Sequence, residues 1–255
     1  MGNKGKDIFT KNHTIILLAL LSCLLWGSAF PSIKIGYQLF SIGADDTFEK
    51  IIFAGFRFFL SSMMIFLFCL GTKRTLKVKK SDFKNLIFLG LIQTAIQYTF
   101  FYIGLSNTSG TKGSILASTS TFFAVILAHF FYDEDKLNMR KIIGVALGFI
   151  GVSIVNISGN GIQGGFTLTG EGFVIMSSLM GALGGIYTKK VAKDIDPFLV
   201  SGYQLFIGSL FLIMAGSLGL EKGIIFSIKG FGLLLYLGFI SAAAFSMWTI
   251  LLKYN

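Results

Sequence analysis

Apolar residues in this chain gather into long runs, with polar and charged residues concentrated in the short links between them. A helix needs about 20 mostly apolar residues to cross ~30 Å of hydrocarbon. Eight runs approach that length: 15–33, 51–70, 84–104, 113–132, 141–157, 172–189, 198–218 and 231–251. The fifth is short and the sixth is rich in glycine. A segment immersed in lipid must satisfy its own backbone hydrogen bonds, so each run predicts a helix. The fold class expected is all-α, a polytopic membrane helix bundle of eight spans.

The runs repeat. FLGLIQTAIQYTFFYIGL (88–105) returns as YLGFISAAAFSMWTILLK (236–253), with Gly90 opposite Gly238 at a shift of 148 residues. FRFFLSSMMIFLFCLG (56–71) returns as YQLFIGSLFLIMAGSLG (203–219) at a shift of 147. These two matches divide the chain into a first repeat of five spans (1–157), an external linker (158–170) and a second, incomplete repeat of three spans (171–255). Five is odd, so the second repeat enters the membrane from the opposite face, an inverted-repeat topology. A third alignment places Lys34 opposite Lys189. By the same shift Lys253–Asn255 correspond to Leu105–Asn107, and a complete second repeat would add spans matching 113–132 and 141–157. The expectation is a truncated member, working poorly by itself, with a homodimer that fills the gap as the alternative.

Composition fits this picture: 53% of residues are hydrophobic and 13% charged, about half the charge density of an ordinary soluble domain. The formal charge of +10 would suit nucleic acid, but its distribution points elsewhere. Lys73, Arg74, Lys77, Lys79, Lys80 and Lys84 crowd one link, and Lys4, Lys6 and Lys11, Lys136, Arg140 and Lys141, and Lys189, Lys190 and Lys193 form the other clusters. With eight spans in order, all of them fall on one side, leaving Lys50, Lys112, Lys222 and Lys229 opposite. Basic loops stay cytoplasmic, so the N-terminus is expected inside, in a multi-pass protein of the cell's inner (plasma) membrane. The basic start also fits a signal peptide, but the polar stretch WGSAFPSIK (26–34) and the repeat favour a retained first helix. Cys23 and Cys69 lie inside apolar runs and suggest neither disulfide nor metal.

Three stretches resemble a known family. LLWGSAFPSIKIG (24–36) is similar to the first-helix Trp-Gly-Ser signature, with its downstream Lys, of the EamA-like branch of the drug/metabolite transporter superfamily. AGFRFFLSSMMI (54–65) resembles that branch's second-helix Arg-Phe pattern. TFFAVILAHFFYDEDKLNMRKIIGVALGFIGVSIV (121–155) resembles its fourth- and fifth-helix block, matching at Glu134, Leu137, Gly144 and Gly151, with Thr121 where the branch usually carries Pro. The resemblance implies a ten-helix permease for small organic solutes.

Candidate solute-binding residues follow from polar groups inside the spans. Arg57 sits about six residues into the second run, where a cation must meet water, an acid or a carbonyl. No Asp or Glu falls inside any predicted run, so Arg57 is either a cation that attracts a carboxylate or phosphate, or a structural group on helix-end carbonyls. Trp26 and Ser28 precede Pro31, whose missing N–H frees a carbonyl; the segment faces a cavity or is a passive kink. Lys34 enters through the resemblance. Gln93 and Gln97 are one helical turn apart, with Tyr98 and Tyr102 on the adjoining stripe, suited to hydrogen-bonding a solute or to tying helices together. Ser114, Ser118 and Thr121 make a small polar face in the fourth run. Gly144 with Gly148 and Gly181 with Gly185 are GxxxG pairs expected to pack the bundle. His129 stands without ligand-spaced partners, so no metal is expected. Gly159, Gly161 and Gly164 spell GxGxxG in the external linker, where the βαβ context of a dinucleotide fingerprint is missing.

With no nucleophile–base pair, HExxH or P-loop, no enzyme activity and no cofactor are expected. The reading is a permease moving an amino acid or similar metabolite by alternating access, by efflux or exchange. The rival is a truncated, non-transporting membrane interaction protein or an inactive fragment. Partners expected are a small solute and the lipid bilayer, not nucleic acid.

Overall fold

A computed structural model describes residues 8–43, 45–133, 135–157, 166–220, 223 and 227–255. The described residues are helical, with no strand among them. In chain order they form α1 (Asn12–Leu39), α2 (Thr47–Gly71), α3 (Lys80–Leu89), the π-helical π1 (Gly90–Ile96) and α4 (Gln97–Ser106). Then follow α5 (Gly110–Ala117), α6 (Thr119–Phe131), α7 (Met139–Ile157), the π-helical π2 (Leu168–Gly172), α8 (Phe173–Ala192), α9 (Pro197–Ser217) and α10 (Ile228–Tyr254).

Among the described residues, six stretches are long and apolar enough to cross a membrane: Asn12–Leu39, Thr47–Gly71, Lys80–Ser106, Lys112–Phe131, Pro197–Ser217 and Ile228–Tyr254. The fifth and sixth predicted runs correspond to α7 and α8; in α8 serines, glycines and the terminal Lys189 and Lys190 lower the hydropathy. Large apolar side chains face outward, Leu24 of α1 with 69% exposure among them, as lipid-facing residues would.

Packing divides the chain into two compact units, one of residues 1–94 and 188–255, the other of 95–187. This partition follows contact density and differs from the sequence repeats. In the first unit α2 packs against α9 and against α10, and α1 against α10. Ala29, Phe40, Ile42, Phe53, Leu234, Leu237 and Ile240 form a buried cluster there. Close approach is set by small residues: a Cβ placed on Gly208 of α9 would lie 2.2 Å from Thr94 Cβ and 2.7 Å from the Gly90 carbonyl.

In the second unit the fourth span breaks at Ser118 without a proline. Ser118 Oγ donates to the Ile115 carbonyl (2.6 Å) and Thr119 Oγ1 to the Leu116 carbonyl (2.5 Å), so hydroxyls compete with the helix ladder. Ser178 of α8 donates to the same region, at 3.2 Å to the Leu116 carbonyl.

Several expectations change. The second span begins at Thr47, not 51, because an apolar scan rejects charged residues that a helix's first turn tolerates. Glu49 and Lys50 are consequently helical and buried, so the second span does hold an acid and Lys50 is no loop residue. Added Cβ atoms on Gly144 and Gly148 would meet nothing within 4 Å, so that GxxxG face packs against nothing among the described residues. Of the second GxxxG, Gly181 packs on Gln97 and Gly185 faces open space. His129 is engaged structurally, its Nδ1 accepting from the Leu137 backbone N–H at 3.2 Å. The described residues hold no group of His, Cys, Asp and Glu fit for a metal. Glu134 and the GxGxxG glycines lie outside the described residues.

Candidate functional site

Arg57 sits ten residues after the start of α2, roughly 15 Å along its axis at about 1.5 Å per residue. Its side chain is 3% exposed. Nε donates to Ser241 Oγ of α10 at 2.8 Å, and the guanidinium lies 5.2 Å from the Phe58 ring centre. One turn on, Ser61 Oγ bridges the Arg57 carbonyl (2.8 Å) and the Gly238 carbonyl (2.9 Å), fixing α2 against α10. No carboxylate pairs with Arg57 among the described residues.

A run of aromatic rings leads from this cation to Trp26. Phe58 meets Phe245 edge-on with centres 6.2 Å apart, Phe245 meets Trp26 at 5.7 Å, and Trp26 meets Trp248 at 5.4 Å. Trp26 Nε1 is buried without a hydrogen-bond partner among the described residues, and so is Ser246 Oγ. Leaving such groups unsatisfied costs about 1–3 kcal/mol each. A cation, an indole N–H and a hydroxyl set among aromatic rings suit a solute that carries an anionic group on an apolar body.

Ser28, Lys34 and Gln93, the other predicted residues of the first unit, do not join this cluster. Ser28 Oγ donates to the Leu25 carbonyl at 2.8 Å within α1, and Lys34 is exposed. Gln93 is 8% exposed and accepts from Thr188 Oγ1 at 2.6 Å, a helix-to-helix tie inside the first unit. It lies in π1, where turns close by i→i+5 bonds, so residues four apart fall short of one turn. Gln97 belongs to the second unit, packed on Gly181. Tyr98 and Tyr102, in that same unit, have ring centres 6.3 Å apart, and Tyr102 is 1% exposed.

The second unit also contains a buried ion pair that hydropathy reading passed over. Glu171 accepts from Thr108 Oγ1 (2.7 Å), Lys112 Nζ (3.2 Å), and both the backbone N–H (2.8 Å) and hydroxyl (2.9 Å) of Thr167. Thr108's hydroxyl, then the backbone N–H bonds, hold its carboxyl well below the usual carboxylate range against desolvation. The signal was present as Thr167 four residues before Glu171. The carboxylate reaches back to the Thr167 backbone N–H at the start of a π-helical turn, as the acid of a capping box does, while the Thr167 hydroxyl caps no helix N–H and donates to the same carboxylate.

The profile of the EamA-like transporter family matches residues 13–157 and 168–255. The chain belongs to the EamA-like transporter family. Relatives are described as transporters. An uncharacterized transporter of Archaeoglobus fulgidus is 28% identical over 242 residues, covering 94% of this chain and 79% of that protein. The uncharacterized transporters YoaV and YvbV of Bacillus subtilis are 23% and 27% identical, with 78% and 81% of this chain covered. The chain spans 65% and 63% of the length of those two relatives. A solved crystal structure superposes with a TM-score of 0.75 at 15% identity, over 95% of this chain and 80% of its own, a likeness of fold. Family and relatives make this EamA-like protein a multi-pass membrane protein of a transporter family.

Proposed function

We propose that this EamA-like protein is a permease for a small organic solute bearing a carboxylate or phosphate, such as an amino acid, moved by alternating access in efflux or exchange. The observation that carries the reading is Arg57: a cation 3% exposed, held by Ser241 and paired with no acid among the described residues. A buried charge without a partner is expensive, and intramembrane ionisable groups mark solute paths by default. The indole N–H of Trp26, buried without a partner among the described residues, supplies a second donor along the same ring run. In this proposal Trp26 and Arg57 contact the solute; Ser28, Lys34, Gln93, Gln97, Tyr98 and Tyr102 contribute only if they line the path in another state of the cycle.

The basic clusters support an inner-membrane orientation with the N-terminus in the cytoplasm, and the repeats at 1–157 and 171–255 would be the elements that rock. A rival reading, a membrane interaction protein that moves nothing, is separated by one experiment. The purified chain in proteoliposomes is loaded with a panel of amino acids and small carboxylates. Saturable flux of at least one solute is expected; none across the panel would favour the rival.

A further inference from the structure

The link between α2 and α3 is held more rigidly than a connecting loop requires. Lys73 takes a left-handed φ of 55° as α2 ends, with Arg74 N–H bonded to the Cys69 carbonyl (2.8 Å) and Lys73 N–H to the Leu70 carbonyl (3.0 Å). This is a Schellman closure with lysine where glycine is usual. Arg74 then pairs with Asp196 at 2.5 Å and stacks 4.7 Å from the Phe198 ring centre. Two residues on, the Leu76 carbonyl accepts from Tyr203 Oη of α9 at 2.9 Å. The segment is thus fixed at three successive points.

What this fixing shapes is a groove of about 560 Å³ lined by Leu76, Lys77, Val78, Lys80, Phe83 and Tyr203. Arg74 is neutralised by its partner, but Lys77 and Lys80 are exposed and have no acid partner among the described residues. Asp82, the nearby acid of α3's first turn, is taken up by Ser81 and does not line the groove. The groove opens between the end of one stretch apolar enough to cross a membrane, Thr47–Gly71, and the start of the next, Lys80–Ser106. Its walls combine two cations with leucine, valine and two aromatic rings.

We propose that this groove binds the phosphate headgroup of an anionic phospholipid. Lys77 and Lys80 meet the phosphate, while Leu76, Val78 and Phe83 lie against the glycerol and upper acyl chain. The two cations favour an anionic headgroup over a zwitterionic one, and the apolar floor favours lipid over free phosphate. Only membrane embedding is needed for this site, not the identity of the transported solute.

Native mass spectrometry of the purified chain tests it, with dioleoyl phosphatidylglycerol, dioleoyl phosphatidylcholine and inorganic phosphate as separate probes. Phosphatidylglycerol is expected to be retained and phosphatidylcholine lost. Lys77→Gln with Lys80→Gln should weaken phosphatidylglycerol about ten- to hundredfold, at roughly a factor of three to ten per lysine. Phe83→Ala should weaken it further while leaving melting temperature unchanged. The control pair Lys190→Gln with Lys193→Gln, exposed outside the groove, should stay within about twofold. Equal loss in the control pair, equal retention of phosphatidylcholine, or displacement of the lipid by equimolar inorganic phosphate would each overturn the proposal.

Discussion

Replacing Glu171 by Gln keeps the side chain's shape and removes its charge. The carboxylate is 8% exposed and its partner Lys112 10% exposed, so the substitution takes the carboxylate charge away from an ammonium that is itself largely out of water. It also sets an amide N–H₂ against donors, because Thr108, Lys112 and Thr167 all donate to Glu171. Breaking one side of a buried pair costs about 3–5 kcal/mol. An amide that still accepts through its carbonyl oxygen places the expected loss near the lower end, about 3 kcal/mol. For a chain of this size that corresponds to a melting temperature lower by roughly 6–12 °C.

The assay is thermal unfolding of the purified protein in detergent, for parent, Glu171→Gln, Lys112→Gln and the double variant. The double variant should recover about 1–2 kcal/mol relative to additivity, because the second substitution removes the ammonium that Glu171 offsets. The pH dependence follows from the depressed carboxyl. Stability due to the ionised Glu171 is fully present above the ordinary carboxylate value, about 4.3, and is lost as pH falls through the depressed folded value. The gap between parent and Glu171→Gln should therefore hold constant from about pH 8 to pH 5 and narrow only in stronger acid. Melting of Glu171→Gln within about 1 °C of the parent, with strictly additive double-variant behaviour, would refute the reasoning.

Two further predictions concern packing and backbone. Gly208→Val should destabilise by about 1–3 kcal/mol, seen as a lower melting temperature, since its Cβ would overlap Thr94 and the Gly90 carbonyl. Lys73→Gly should raise the melting temperature by the equivalent of about 0.5–1 kcal/mol, because glycine adopts the left-handed conformation of Lys73 without steric cost.

The helical class and most spans were legible because a lipid-crossing helix needs nothing more than a long apolar run, and such runs survive any packing arrangement. Boundaries were less so: Glu49 and Lys50 are charged yet helical, since a first turn accepts polar residues that a hydropathy window discards. Arg57 stood out because a lone cation in an apolar run is rare, whereas its partner Ser241 could not be found by any local pattern at a separation of 184 residues. Gln93 and Gln97 looked like one face under α-helical spacing; the π-helical turn at Gly90–Ile96 changes that spacing and leaves no trace in hydropathy. Glu171 was passed over for the opposite reason. It lies at a helix start outside the apolar run, where charge is ordinary, and only its four donors make it unusual.

The most direct test of the account is Arg57→Gln in proteoliposomes, measured against a solute pair that differs only in charge: a transported carboxylate and its amide. The account predicts flux of the carboxylate reduced at least tenfold, about 1.4 kcal/mol or more, with amide flux and the amount of folded protein retained. Arg57→Lys should restore part of the carboxylate flux, since charge returns without the planar fork. Equal loss of both solutes, or carboxylate flux unchanged in Arg57→Gln, would contradict it.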